Sequence, residues 1–399
     1  MEQPVEPAKD AHVYKPNGSR KAVVVVGYIA TDPTTLKEKK QKFMEFHDSV
    51  ATRTTVADFC YSRDPESSEF RLREVQKENL PMVNEKRLRK GLSDEETRKL
   101  YDSIPEPTQT GRNGFLEKVF ASNVIDRQDW RIVASSKTMS QISNTTFTRR
   151  VFKCRVRKGY IGDRTVIVIG AHKHWNAVDD DIKPIDFRKE AKIKQLNLPS
   201  ALSKYLTEPD DQAVAEDINT TFHTFAKVTF GHVNVLVQER FNGMYKDPYD
   251  HRFERFRFAM DQTPPQCSQR FTEQTAEHIR LAFFANIPNL LMSGLRCSEL
   301  VERMEHCKSA EIKPIMWDVD HLTKRDTSLN RALTLSRLFV EKILEIFEEY
   351  PNCTEIYCSK PSGEGETYLP IKFEIFQEES SKELNETTST KGSNQCSVM

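Results

Sequence analysis

The side chains that could do chemistry in this chain fall into a few short groups. His172 and His174 in His172-Lys-His-Trp175 stand two apart, so a strand would put both rings on one face, and Asp179-Asp-Asp181 follow nearby. Imidazole and carboxylate are the right ligands for a divalent metal. No third ligand at a metal-like spacing follows, and a polar loop after a strand is the expected reading. Asp318 and Asp320 in Trp317-Asp-Val-Asp-His321 form a second acidic pair on one strand face. They are expected to be solvated acids at a strand end. Lys153, Arg155 and Arg157 alternate along a strand-like stretch and would share a face, where they could follow an RNA backbone, since phosphate contacts supply much of nucleic-acid affinity. The basic run Lys86-Arg-Leu-Arg-Lys90 is expected to be a solvated face. The chain has no P-loop, no dinucleotide-binding glycine fingerprint, no His-Glu-x-x-His zinc helix and no Gly-x-Ser-x-Gly elbow.

The elements that must position these groups alternate between strands and helices. Lys21–Ile29 is β-branched and bounded by turn formers, as in a buried strand. The Lys-rich stretch from Thr35 to Phe46 favours helix. Ser93 with Glu96 three residues on predicts a capped helix start. Strands or short helices are expected at 114–121, 130–135, 147–156 and 165–170. A helix is expected from Pro184 to Leu198, and Pro199 suits the first turn of another. Next come a hairpin-like pair through Gly231 and His232, a turn at Asn242-Gly243, and a strand over Phe253–Phe258. A strand near Lys313–Val319, an amphipathic helix from Leu329 to Tyr350 and a last hairpin over Thr354–Lys360 and Tyr368–Phe376 complete the pattern.

One stretch organises the rest. Glu277 to Ala285 carries apolar residues at Ile279, Leu281, Ala282, Phe283 and Phe284, and Pro288 disfavours helix before it. Asn289 to Met292 then reads as an interior strand broken by Gly294. A helix ending in an aromatic pair, then Ile-Pro-Asn, then an apolar strand closing on Gly-Leu-Arg296 resembles the DXO-like decapping exoribonucleases. Gly114-Phe-Leu-Glu-Lys-Val119 with Asp129-Trp-Arg-Ile132, Val25-Val-Gly-Tyr28 with Asp32, and Tyr368-Leu-Pro-Ile371 extend the likeness over most of residues 22 to 377. The resemblance implies an α/β (mixed α+β) fold with central mixed β-sheets, flanking helices and a cleft.

It also implies where chemistry should sit. Such nucleases hold Mg²⁺ or Mn²⁺ on a Glu that closes a Gly-Tyr-x-Phe-Glu helix, a Glu-x-Asp strand and a Glu-x-Lys strand, with an Arg in the first motif and a Gln in the helix before the Pro. By that resemblance the first-motif Arg falls at Asn113, beside Arg112, and the helix Glu at Ser203. The Glu-x-Asp pair falls at Gln238 and Arg240, the Glu-x-Lys pair at about Arg257 and Ala259, and the Gln at Leu281. A fixed cation where a carboxylate should be repels a metal. Glu239 and Glu254 are the residual acids that a shifted register would bring inward.

Three functional expectations follow. The first is a divergent member that binds an RNA 5′ end or nucleotide with its catalytic motifs largely lost. The second is an active metal-dependent decapping nuclease with relocated ligands. The third is a protein-interaction module, with a protein partner and no RNA.

Bulk composition bounds the rest. The 399 residues carry 59 basic and 59 acidic side chains with 37% apolar content, so RNA binding has to come from a local groove rather than bulk charge. Eight cysteines without Cys-x-x-Cys pairing and no apolar leader point to a reduced intracellular protein, nuclear or cytoplasmic, without structural zinc. No apolar run is long enough to span a bilayer. Residues 1–20 and 378–399 read as disordered arms around a single domain at 21–377. Cys396-Ser-Val-Met399 fits a C-terminal prenylation box, which would offer membrane attachment without a span.

Overall fold

The computed structural model describes residues 21–45, 50–63, 70–75, 80–103, 125, 130–145, 151–161, 164–171, 190–207, 221–262, 271–326, 328–361 and 368–378. Asn113, the His172–Asp181 group, Cys396 and the two terminal arms expected from sequence lie outside these residues, apart from Glu378.

In chain order, β1 (Lys21–Ile29) and α1 (Pro33–Met44) lead to β2 (Thr52–Arg63) and β3 (Phe70–Glu74). Helices α2 (Glu85–Lys90) and α3 (Asp94–Asp102) precede β4 (Ile132–Ser135) and α4 (Ser136–Asn144). Then come β5 (Phe152–Ile161), β6 (Arg164–Ala171), α5 (Glu190–Thr207), β7 (Thr221–Phe230), β8 (Val233–Phe241), β9 (Gly243–Lys246) and β10 (Phe253–Ala259). The remainder is α6 (Glu273–Phe284), β11 (Asn289–Met292), α7 (Cys297–Glu305), β12 (Ile315–Asp318), α8 (Val319–Arg325), α9 (Leu329–Glu349), β13 (Glu355–Lys360) and β14 (Ile371–Glu378).

These strands form two mixed sheets, as the resemblance implied. The large one has the order β1-β14-β13-β5-β6-β4-β8-β7-β2-β3, with β4 parallel to both neighbours. The small one runs β12-β11-β10-β9, with β10 parallel to β11. Helix α9 lays Leu335, Phe339, Ile343 and Ile346 on one face of the large sheet, against Val156, Ile169 and Val235. Each such side chain contributes about 1.5–3 kcal/mol of burial. The opposite face packs Phe59, Trp130, Val133, Phe225 and Leu236. Among the described residues no helix is long and apolar enough to cross a membrane.

The organising stretch folds as its sequence indicates. Thr272 caps α6 by accepting from the Thr275 amide, and Asn286, at φ 52°, turns the chain out of the helix before Pro288. All four residues of β11 are buried. The Gly-Leu-Arg end is tied down because Arg296 Nε donates to Asp261 Oδ1 at 3.3 Å, and Thr275 donates to the same carboxylate at 2.6 Å. The Ser93–Glu96 capping box is present at the start of α3.

Other expectations need correction. Among the described residues strand β1 is an edge, paired with β14 alone, and leaves Val25 and Tyr28 exposed. Pro199 lies inside a continuous α5, where packing of Leu198, Ala201, Leu202 and Leu206 against Phe256 and Phe258 offsets the lost helix hydrogen bond. Asn242-Gly243 does not reverse the chain. It bends β8 into β9, and the reversal falls at 247–252, where the Asp247 carbonyl accepts from His251 and the Asp247 amide donates to Arg252. Asp318 and Asp320 share no strand face, because Asp318 caps α8 and Asp320 sits within it, paired with Arg53.

Candidate functional site

Strand alternation decides what β8 and β10 present. Val233, Val235 and Val237 point into the α9-covered core while Leu236 points to the other face. Glu239 therefore emerges on the helix-covered face, and its Oε2 accepts from Ser136 Oγ at the start of α4. Gln238 and Arg240 emerge on the opposite face. There Gln238 Nε2 donates to His223 Nδ1 at 2.6 Å, and Arg240 Nη2 donates to Ser200 Oγ on α5 at 3.3 Å.

On β10, Phe256 and Phe258 pack under α5, so Arg255 and Arg257 point the other way, Arg255 toward β2 and Arg257 toward α6. Arg257 Nε donates to Glu239 Oε1 at 3.4 Å, and its Nη1 meets His278 Nδ1 at 3.1 Å. Because the guanidinium is always a donor, that contact fixes His278 Nδ1 as an acceptor and puts the proton of the neutral ring on Nε2. His278 Nε2 is shut off from solvent, and no described residue partners it. Burial, helped by the Arg257 charge, pushes the His278 pKa down to about 3. Two residues earlier, Arg255 Nε reaches both Asp58 oxygens at 2.8 and 2.9 Å, and its Nη1 donates to Thr55 Oγ1 at 3.2 Å. Asn286 Nδ2 donates to the same Thr55 oxygen at 3.0 Å.

The resemblance would gather its positions into one pocket, and the structure divides them. Ser203 is buried on α5, and Ser200, one turn earlier, brings that helix to Arg240 on one face. Arg257 and Glu239 meet on the other face. Leu281 is buried and apolar, and His278, one turn before it on α6, is the residue that touches Arg257. Glu254 lies on the far side of β10 from Arg257 and accepts from Asn289 Nδ2 at 2.9 Å, so it does not join Glu239. Lys153, Arg155 and Arg157 do alternate on one face of β5, opposite the face that carries Cys154 and Val156. That is the face of the large sheet away from Glu239, and both arginines pair with Glu355 on β13.

A divalent metal does not fit this arrangement in either register. One face offers Gln238 and Arg240. The other offers Glu239 and Asp58, each already paired with an arginine. Among the described residues no group of three or more His, Cys, Asp or Glu side chains gathers where a metal could be held. A dication on Glu239 would stand about 4 Å from the Arg257 guanidinium, a repulsion of roughly 8 kcal/mol at an effective dielectric of about 20.

Sequence reasoning missed Ser136, Asp58, Arg255 and His278. The Arg255-x-Arg257 alternation was readable on β10. Ser136 and Asp58 arrive from distant parts of the large sheet and carry no local signal. Beside this cluster opens a cleft of about 870 Å³, lined by Met82, Arg252, Phe253, Glu254, Arg255, Asn286 and Pro288.

No family model and no curated protein matches the sequence. Solved structures do match. A mutant Rai1 of S. pombe in complex with 3′-FADP is 11% identical, with a TM-score of 0.55 over 84% of this chain and 97% of that one. Candida albicans Rai1 in complex with pU5-Mn²⁺ is 10% identical, with a TM-score of 0.53 over 84% and 92%. K. lactis Dxo1 in complex with manganese is 9% identical, with a TM-score of 0.52 over 84% and 92%. Two mixed sheets in this order, over nearly the full length of those proteins, give the chain the fold of the Rai1 and Dxo1 structures.

Proposed function

We propose that the chain is a divergent decapping-exoribonuclease-like protein that binds an RNA 5′ end or nucleotide in its cleft, with metal-dependent hydrolysis largely lost. The observation that carries this reading is the pairing of Glu239 with Ser136 and Arg257, which leaves a neutralised polar cluster where the resemblance calls for free carboxylates. The shared fold supports the ligand class, because one structure of that fold is a complex with pU5 and others are complexes with dinucleotides. In this reading Lys153, Arg155 and Arg157 would contact RNA beyond the cleft, on the other face of the large sheet. Mg²⁺ or Mn²⁺ would matter only if turnover survived.

The test pairs two assays on the full chain. Salt-dependent binding of a 5′-phosphorylated oligonucleotide is expected, together with no Mg²⁺- or Mn²⁺-dependent decapping or exonuclease turnover. Robust turnover that disappears in Glu239→Gln would establish an active nuclease instead. Absence of any oligonucleotide binding would leave only the protein-partner reading.

A further inference from the structure

The cleft beside β10 brings together three kinds of group. Phe253 is 52% exposed at its edge, a large apolar ring held in solvent at the start of a strand. Arg255, on the same strand face, lines the wall with its guanidinium set by Asp58. Of the five N–H donors of an arginine, the carboxylate fork takes two and Thr55 takes one, so two remain with no partner among the described residues. Arg252 stands at the rim, paired with Asp250. Successive residues on one strand face are about 6.6 Å apart, close to the span between the base and the 5′-phosphate of one nucleotide.

We infer that this cleft takes a single nucleoside monophosphate unit, with its base on Phe253 and its phosphate at Arg255. The inference rests on the nucleotide-binding reading above and adds the residues that hold each part of the ligand. A volume of about 870 Å³ lies within the usual range for a small-molecule pocket. An aromatic platform beside a fixed guanidinium is the pairing by which base stacking and phosphate recognition are combined without a metal. Glu254 is engaged by Asn289 on the other face of β10, so Asp58, which holds the guanidinium, is the carboxylate in contact with Arg255. The Lys246 ammonium, 5.8 Å from the Phe253 centroid, adds positive charge next to the ring.

Calorimetric titration of the full chain with adenosine 5′-monophosphate, adenosine and inorganic phosphate tests this. The monophosphate is expected to bind more tightly than either part. Phe253→Ala, at an exposed position, should weaken the monophosphate about tenfold and leave inorganic phosphate unchanged. Arg255→Lys should weaken the monophosphate and leave adenosine unchanged. Unaltered monophosphate affinity in Phe253→Ala would overturn the inference while the nucleotide-binding reading stood. Displacement of the monophosphate by an acidic peptide of higher affinity would also overturn it, in favour of a peptide groove. If neither the monophosphate nor a 5′-phosphorylated oligonucleotide bound the unaltered chain, both readings would fall.

Discussion

His278 makes the charged cluster measurable through pH. Its pKa lies near 3 in the folded chain against about 6.5 when unfolded, so between these values the unfolded state binds a proton that the folded state refuses. Stability must therefore fall as pH drops below about 6.5, at roughly 1.36 kcal/mol per unit for this one group, and level off below about pH 3. At about pH 4.5 the loss amounts to roughly 2.7 kcal/mol. His278→Gln keeps an acceptor for the Arg257 Nη1 and cannot titrate. Urea unfolding of both proteins, followed by tryptophan fluorescence at about pH 7 and about pH 4.5, isolates the effect. The unaltered chain should lose roughly 2.7 kcal/mol more than the variant between the two conditions. Equal losses would mean that the imidazole is not held neutral by burial and the Arg257 charge, and the placement of His278 in this cluster would be wrong.

Asp58→Ala should cost about 3 kcal/mol in chemical denaturation, because it strands a nearly buried Arg255, whose side chain is 13% exposed. A cost below about 1 kcal/mol would show that the pair contributes no more than an exposed ion pair. Gly243→Ala would place a Cβ 2.3 Å from the Pro81 carbonyl oxygen at the bend between β8 and β9, and should lower the unfolding free energy by about 2 kcal/mol. Glu355→Gln frees Arg155 and Arg157 from their shared carboxylate, so RNA binding should tighten and its salt dependence steepen by about one unit of slope. An unchanged slope in filter binding would remove the β5 face from the RNA path.

The fold was legible where period and stop signals agreed. The buried β11 after a Pro-terminated α6, the Ser93–Glu96 cap and the α9 stripe all follow from local pattern, because each element's burial is decided by its own residues. Pro199 misled because local propensity argues for a new helix there, while α5 is held continuous by its packing on Phe256 and Phe258. The site was less legible for a geometric reason. Whether Glu239 or Gln238 and Arg240 share a face with Arg257 depends on a bend at Asn242-Gly243, which the sequence suggests as a turn and the structure continues into β9. The resemblance puts its Gln at Leu281, yet His278 is the α6 residue that meets Arg257, and neither Ser136 nor Asp58 can be assigned to the cluster before the strand order is known.

Manganese binding tests the central claim most directly. Electron paramagnetic resonance titration of Mn²⁺ into the full chain should show no saturable uptake tighter than about millimolar, since Glu239 and Asp58 are each already paired with an arginine. Saturable binding at about 10 µM or below that vanishes in Glu239→Gln would contradict the account.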